Sequence, residues 1–232
     1  MYTNNLDAKY SNFIAPISMF FYMILLVSSI GGQKLISFFN FTISAGTIIF
    51  PITYTIIAII TEIYGFKKAK IVIFSGAVCN LLVSSYLYFI IKLEPSPVWL
   101  NQESFEKTNL ITSQILLNST FAYVVSEYSN AKILYKLKVM MRGKLLILRA
   151  LISTSLASVI DTLFMLPIII NKSPKHIFYI LSSLILIKII YSLILLPFLS
   201  KAVNFLRKRE GIYANKTLMP FSSVSYMYDE KT

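Results

Sequence analysis

Cysteine, histidine and tryptophan are almost absent: the 232 residues hold one of each, Cys79, His176 and Trp99. One cysteine excludes an intramolecular disulfide and a thiolate metal site. Lying inside an apolar run, Cys79 reads as a small packing residue. One histidine, with no His-Glu-x-x-His, excludes a zinc-protease centre. The chain has no glycine-rich loop ending in Lys-Ser/Thr, so it does not hydrolyse nucleotide by itself, and no Gly-x-Ser-x-Gly nucleophile turn. No catalytic residue, metal ligand or cofactor is expected. Acidic residues are also scarce, ten against 22 Lys and Arg.

What fills the chain instead is apolar. Hydrophobic residues make up 56% of it and the mean hydropathy is +0.69, beyond the range of soluble domains, whose surface must be covered by polar groups. The net charge of +12 does not point to nucleic acid, because the basic residues lie between apolar runs and none of these stretches interleaves with aromatics as a nucleic-acid groove does. The expected partner is the lipid bilayer, not nucleic acid.

The runs predict an all-α membrane protein with six transmembrane helices over 13–32, 43–64, 70–91, 110–130, 150–170 and 177–199, forming a domain over 1–204 followed by a cytoplasmic tail over 205–232. The first run follows a short polar leader with no basic n-region or cleavage site, and reads as a retained helix. Residues 94–109, with Pro95, Pro97, Trp99 and three glutamates, read as a sizeable loop, Trp99 suiting a membrane interface. The fourth run carries Gln114, Asn118, Thr120, Tyr123, Ser126 and Glu127, so its neighbours should shield it from lipid. A basic loop is expected over 132–149. With six spans, sixteen Lys and Arg fall on one side, five on the other, and Lys188 within span six. Both termini should then be cytoplasmic.

The stretch from Phe50 to Lys70, FPITYTIIAIITEIYGFKKAK, is the most informative. It is an apolar helix leaving the membrane through Glu62, Gly65 and three lysines, with Tyr54, Ala58, Thr61 and Glu62 on one face. Each ionisable group at depth costs about 2.5–3.5 kcal/mol and needs a reason. Asp161 lies about 18 Å from the cytoplasmic end of span five and Lys188 about 16 Å from the opposite end of span six. A pair between them is therefore feasible. It reads either as a structural lock between spans five and six or as a charged group at a substrate or proton site. Thr154, Ser158, Asp161 and Thr162 share one hydrophilic face. Glu62 and Glu127 are expected near the cytoplasmic ends of their helices, in reach of water and facing lysines, and Arg149 either enters the site or snorkels to lipid phosphates. Pro51, Pro167 and Pro197 lie in or at the ends of spans, where they can kink helices. Ile30-Gly31-Gly32 allows close helix packing.

Several of these residues carry a family likeness. Phe50-Pro51-Ile52-Thr53-Tyr54, Thr61-Glu62-Ile63-Tyr64-Gly65 with Lys67 to Lys70, Ala122-Tyr123-Val124-Val125-Ser126, Leu148-Arg149, Ser153-Thr154 and Ile160-Asp161-Thr162 resemble the queuosine precursor transporters, also described as vitamin uptake transporters. The resemblance extends from roughly Phe13 to Leu199. It implies a six-helix, multi-pass protein of the bacterial inner membrane, similar to the substrate-binding subunits of energy-coupling-factor transporters, that imports a deazaguanine or queuine-like nucleobase without ATP. The chain departs from the family pattern at Ala58, where an aspartate is usual, at Ser158, where glutamine is usual, and at Glu127 and Asn130, where glutamine and aspartate are common.

The expected substrate contacts are Tyr54, Glu62, Tyr123, Glu127, Arg149, Thr154, Ser158, Asp161 and Lys188, which together supply edge donors, acceptors and aromatic faces for a planar base. Two other readings stay open: a vitamin-binding subunit that needs a separate ATP-driven energising module, and a structural or assembly membrane protein without a ligand. The oligomeric state, homo-oligomer or complex with such a module, is open as well.

Overall fold

The computed structural model describes residues 13–38, 41–164 and 174–210. Helix α1 spans Ile14–Gly31, strands β1 and β2 span Leu35–Phe38 and Phe41–Ser44, and helices α2 and α3 span Gly46–Ile49 and Pro51–Ile91. Helix α4 follows over Gln102–Met140, α5 over Leu146–Leu163 and α6 over Pro174–Arg209. The calls on Pro167 and the outer end of span five fall outside the described residues, and the side chain of His176 is not described.

Among the described residues, four helical stretches are long and apolar enough to cross a membrane: Ile14–Gly31, Gly46–Ile91, Leu146–Leu163 and Leu181–Arg209. Their exteriors are apolar. Met19, Phe20, Met23 and Val27 of α1 and Ile71, Phe74, Val78 and Leu82 of α3 are all exposed. The buried face of α3 opposite carries Gly76, Asn80 and Ser84. Polar groups inside and hydrocarbon outside is the inverse of a water-soluble helix, and it marks a multi-pass membrane protein.

The longest stretch folds back on itself. Gly65, at φ 82° and ψ 168°, interrupts α3, a conformation essentially reserved for glycine. Before it, Tyr54 meets Asn130 and Glu62 meets Lys138, so the first arm of α3 runs along α4 in the same sense. After it, Ile73 meets Tyr123, Asn80 meets Thr120 and Ser84 meets Ser113, so the second arm runs the other way. Ile57 and Ile60 of the first arm share one apolar cluster with Ala69, Val72 and Ile73 of the second and with Phe21, Ile24 and Leu25 of α1. No atom lies within 4 Å of a Cβ built on Gly65, so the cost of a side chain there is backbone strain alone. Gly65→Ala is expected to lower stability by about 1–3 kcal/mol, read as a lower melting temperature in detergent; an unshifted melt would mean the turn is not required.

Three boundaries differ from the sequence reading. Strands Leu35–Phe38 and Phe41–Ser44 pair antiparallel, Leu35 with Ser44 and Ile36 with Ile43, so the chain is not purely helical and the second helical run begins at Gly46 rather than 43. Ile, Phe and Thr at Ile36, Phe38, Phe41, Thr42 and Ile43 favour extended backbone. The strand pair is tied down by Ser44, whose hydroxyl donates to the Gly32 carbonyl at 3.2 Å. Secondly, α4 begins within the expected loop 94–109 and continues through most of the expected basic loop. At 39 residues it is about 58 Å long, far more than a hydrocarbon core of roughly 30 Å. Only residues 141–145 remain as a turn. Lastly, α6 runs on to Arg209.

Close packing at the glycines of α1 follows the sequence reading. A Cβ on Gly46 would lie 2.2 Å from the Ser28 carbonyl and one on Gly31 would lie 3.5 Å from Gly46. Helix α4 occupies the centre, touching both arms of α3 on one side and α5 on the other, while α6 packs on α5 and α3.

Candidate functional site

Two buried polar clusters emerge, and the nine expected residues divide between them and the walls. The first centres on Glu62, which is 1% exposed. Arg149 of α5 donates from Nη1 to Glu62 Oε2 at 3.1 Å, and Arg207 of α6 donates from Nη2 to Oε1 at 2.5 Å. Lys138 of α4 lies 3.6 Å from Oε1 and donates to the Glu62 backbone carbonyl at 2.9 Å. One carboxylate thus joins α3, α4, α5 and α6. Arg149 is positioned by the tight turn before α5, where Gly143 at φ 75° closes α4 by donating its N–H to the Lys138 carbonyl at 2.8 Å. The turn then presents carbonyls that accept from Arg149: Lys144 O from Nε at 2.9 Å and Gly143 O from Nη2 at 3.3 Å.

Two expectations are corrected here. Neither Glu62 nor Glu127 reaches water, since both are buried, and Arg149, fully buried, does not snorkel to lipid. Helix α4 extends past the level of both carboxylates, and the ends of α5 and α6 close around Glu62. Lys138 and Arg207 escaped the sequence reading because Lys138 lay in a presumed loop and Arg207 in a presumed juxtamembrane charge cluster. Their helical continuation, eight residues on from Asn130 and ten on from Pro197, was the signal available.

Beside this cluster, the two ends of the described chain converge. Glu210 Oε1 accepts from the Tyr64 hydroxyl at 2.7 Å and from the Phe13 backbone N–H at 3.1 Å, next to the Gly65 turn.

The second cluster lies deeper. Tyr54, Glu127 and Asn130 are each 0% exposed. Asn130 Nδ2 donates to the Tyr54 carbonyl at 3.0 Å and approaches Glu127 Oε2 at 3.5 Å. The Tyr54 hydroxyl, Glu127 Oε1 and Asn130 Oδ1 have no hydrogen-bond partner. Thr53 faces Glu127, Ser126 and Asp161 face Tyr54, and both carboxylates act electrostatically on Tyr54. Asp161 forms the anticipated pair: Lys188 Nζ donates to Asp161 Oδ2 at 2.5 Å and to the Thr162 hydroxyl at 3.2 Å. Helices α3, α4, α5 and α6 therefore bring these polar groups together in one buried cluster. Buried polar atoms without a partner each cost about 1–3 kcal/mol, and Asn80 Oδ1 and Glu210 Oε2, outside this cluster, are in the same position.

Other expected contacts serve the walls. The Tyr123 hydroxyl donates to the Ile73 carbonyl at 2.6 Å, bracing α4 against the second arm of α3 where Gly76 leaves room. Thr154 and Ser158 donate back to the carbonyls of Ala150 and Thr154 at 2.8 Å each, satisfying their hydroxyls within α5. Ala58 packs in an apolar cluster with Leu134, Ala150, Leu199 and Val203. Its methyl group fills space that an aspartate would make polar. Asn130, not among the expected contacts, belongs with Tyr54 and Glu127.

A family model described as Putative vitamin uptake transporter matches residues 44–202, which takes in both arms of α3, α4, α5 and nearly all of the apolar part of α6. The chain belongs to this family. The vitamin uptake transporters are transporters and not enzymes, in accord with the absence of catalytic motifs. The match covers the deep cluster and, of the first cluster, Glu62, Lys138 and Arg149, while Arg207 lies beyond it. No curated protein and no solved structure matches the chain.

Proposed function

We propose that this transporter imports a small planar nucleobase-like molecule, a queuosine precursor of the deazaguanine type, across the bacterial inner membrane. The observation that carries this reading is the set of three buried, unsatisfied acceptor atoms on Tyr54, Glu127 and Asn130. A purine-like base brings several N–H donors along one edge and a flat face that suits Tyr54. Asp161 and Lys188 border the same space, while Tyr123, Thr154 and Ser158 shape its walls and Glu62 with Arg149 closes its end. Six membrane-crossing arms are proposed: α1, the two arms of α3, α4, α5 and α6. An even count agrees with the meeting of Phe13 and Glu210 at one end, and the Lys and Arg distribution makes that end cytoplasmic.

The test is complementation of a queuosine auxotroph at limiting precursor, read as tRNA modification. Wild type is expected to restore modification, and Tyr54→Phe to reduce uptake by about tenfold or more, the scale of one hydrogen bond in a dry site. Restoration no better than empty vector would remove the substrate assignment. The family description names vitamins as cargo, and a competing reading is a vitamin-binding subunit that a separate ATP-driven module would energise. Uptake in cells without any such module would exclude it.

A further inference from the structure

Glu127 is the one buried carboxylate of the deep cluster with no cation beside it. Lys188 is held by Asp161, and the other three cations of the interior, Lys138, Arg149 and Arg207, gather on Glu62. The groups facing Glu127 are Thr53 and Tyr54 from α3, Tyr123 and Asn130 from its own helix, and Asp161 from α5, the last neutralised by Lys188 from α6. None is a cation. An ionised carboxylate in such a place, fully buried with the neutral Thr53 hydroxyl and Asn130 amide beside it, is too costly to persist uncompensated. Something positive must accompany it.

The unsatisfied atoms narrow what that is. Glu127 Oε1 and Asn130 Oδ1 only accept, unless the carboxyl is protonated, and the Tyr54 hydroxyl can accept as well as donate. A ligand that completes this set brings N–H donors and a positive charge. Building on the transporter reading above, we propose that the site selects a planar heterocycle carrying a protonated amine or amidine-type group, with Glu127 as its counter-ion, and that this cation exchanges with a proton held on Glu127 when the site is empty. In the exchange the proton leaves Glu127 for water as the cation enters, so the site carries the same charge empty and loaded. No covalent bond in the ligand changes.

The experiment uses purified full-length protein in detergent or nanodiscs. Two probe pairs each set a cationic molecule against a neutral one with the same ring: 7-aminomethyl-7-deazaguanine against 7-deazaguanine, and benzamidine against benzamide. The cationic member of a pair is expected to bind at least about tenfold more tightly, as for one charge-assisted hydrogen bond in a buried site. Its binding should release close to one proton, measured by calorimetry in buffers of different ionisation enthalpy. Its affinity should rise with pH while the probe itself stays protonated. Glu127→Gln should bring the two members of each pair to similar affinity and abolish proton release. Infrared spectroscopy of the ligand-free protein should show a protonated-carboxyl band at neutral pH that Glu127→Gln removes.

If neither deazaguanine binds but benzamidine does so through Glu127, the substrate assignment fails and the charge selectivity stands. If 7-deazaguanine binds as well as its aminomethyl form, the substrate assignment stands and the selectivity is overturned. Absence of the Glu127 carboxyl band, or an unchanged cation preference in Glu127→Gln, overturns the inference whichever base binds.

Discussion

Replacing Glu62 with glutamine is expected to destabilise the protein by about 3–5 kcal/mol, the scale of removing one partner from a buried ion pair. The carboxylate accepts from Arg149 and Arg207 and lies beside Lys138, and the Arg149 side chain has no exposed surface. An amide keeps the shape but leaves three cations crowded together without their shared anion. The guanidinium of Arg149 retains its bonds to Lys144 and Gly143 carbonyls, so the α4–α5 turn should survive while α6 loosens. Arg207→Gln should cost much less, because its side chain is 14% exposed and solvent screens what it loses. Thermal melts of the two variants in detergent decide the matter. Equal losses for both would mean that Glu62 is not the hub of the four helices.

The Asp161–Lys188 pair gives the second large effect, and it separates the two roles open for that pair. Asp161→Asn and Lys188→Met are each expected to cost about 3–5 kcal/mol, since either leaves a charge stranded between α5 and α6. The double variant should recover most of that loss, because two neutral side chains leave no stranded charge and buried pairs are often replaceable by apolar residues. If the double variant folds and still supports uptake at the wild-type rate, the pair is a lock between helices. If it folds but uptake is lost, the pair belongs to the substrate path. A double variant as unstable as the singles would show that the pair's 2.5 Å contact is not what the single substitutions disturb.

Much of the arrangement is readable from local sequence, for reasons that lie in the bilayer. Charged groups at membrane depth are costly enough that each needs a partner. That rule nominated Asp161 and Lys188, but it placed Glu62, Glu127 and Arg149 at helix ends in reach of water or lipid headgroups, where the structure buries all three. The Gly65 turn was marked by the glycine and the lysines beyond it, since polar residues end a span. The strand pair Leu35–Phe38 and Phe41–Ser44 was hidden because short apolar strands and the start of an apolar helix have the same composition. The extent of α4 was hidden for the opposite reason. Its last turns are rich in lysine and look like a loop, yet Lys138 is buried against Glu62, and tertiary packing outweighs local polarity.

By itself the sequence determined that this protein crosses a membrane several times, that it lacks the His-Glu-x-x-His and Gly-x-Ser-x-Gly motifs, and that a few ionisable residues lie at depth. Hydropathy and charge spacing decide such matters because the cost of misplacing a residue in hydrocarbon is paid locally. Which charge meets which was decided only by the tertiary structure. Glu62 gathers Arg149, Arg207 and Lys138 from three other helices, while Glu127, 65 residues further along the chain, has none. Arg207 reaches Glu62 from 145 residues away along the chain, brought there by helix packing. No local pattern could have told the braced carboxylate from the one without a cation beside it.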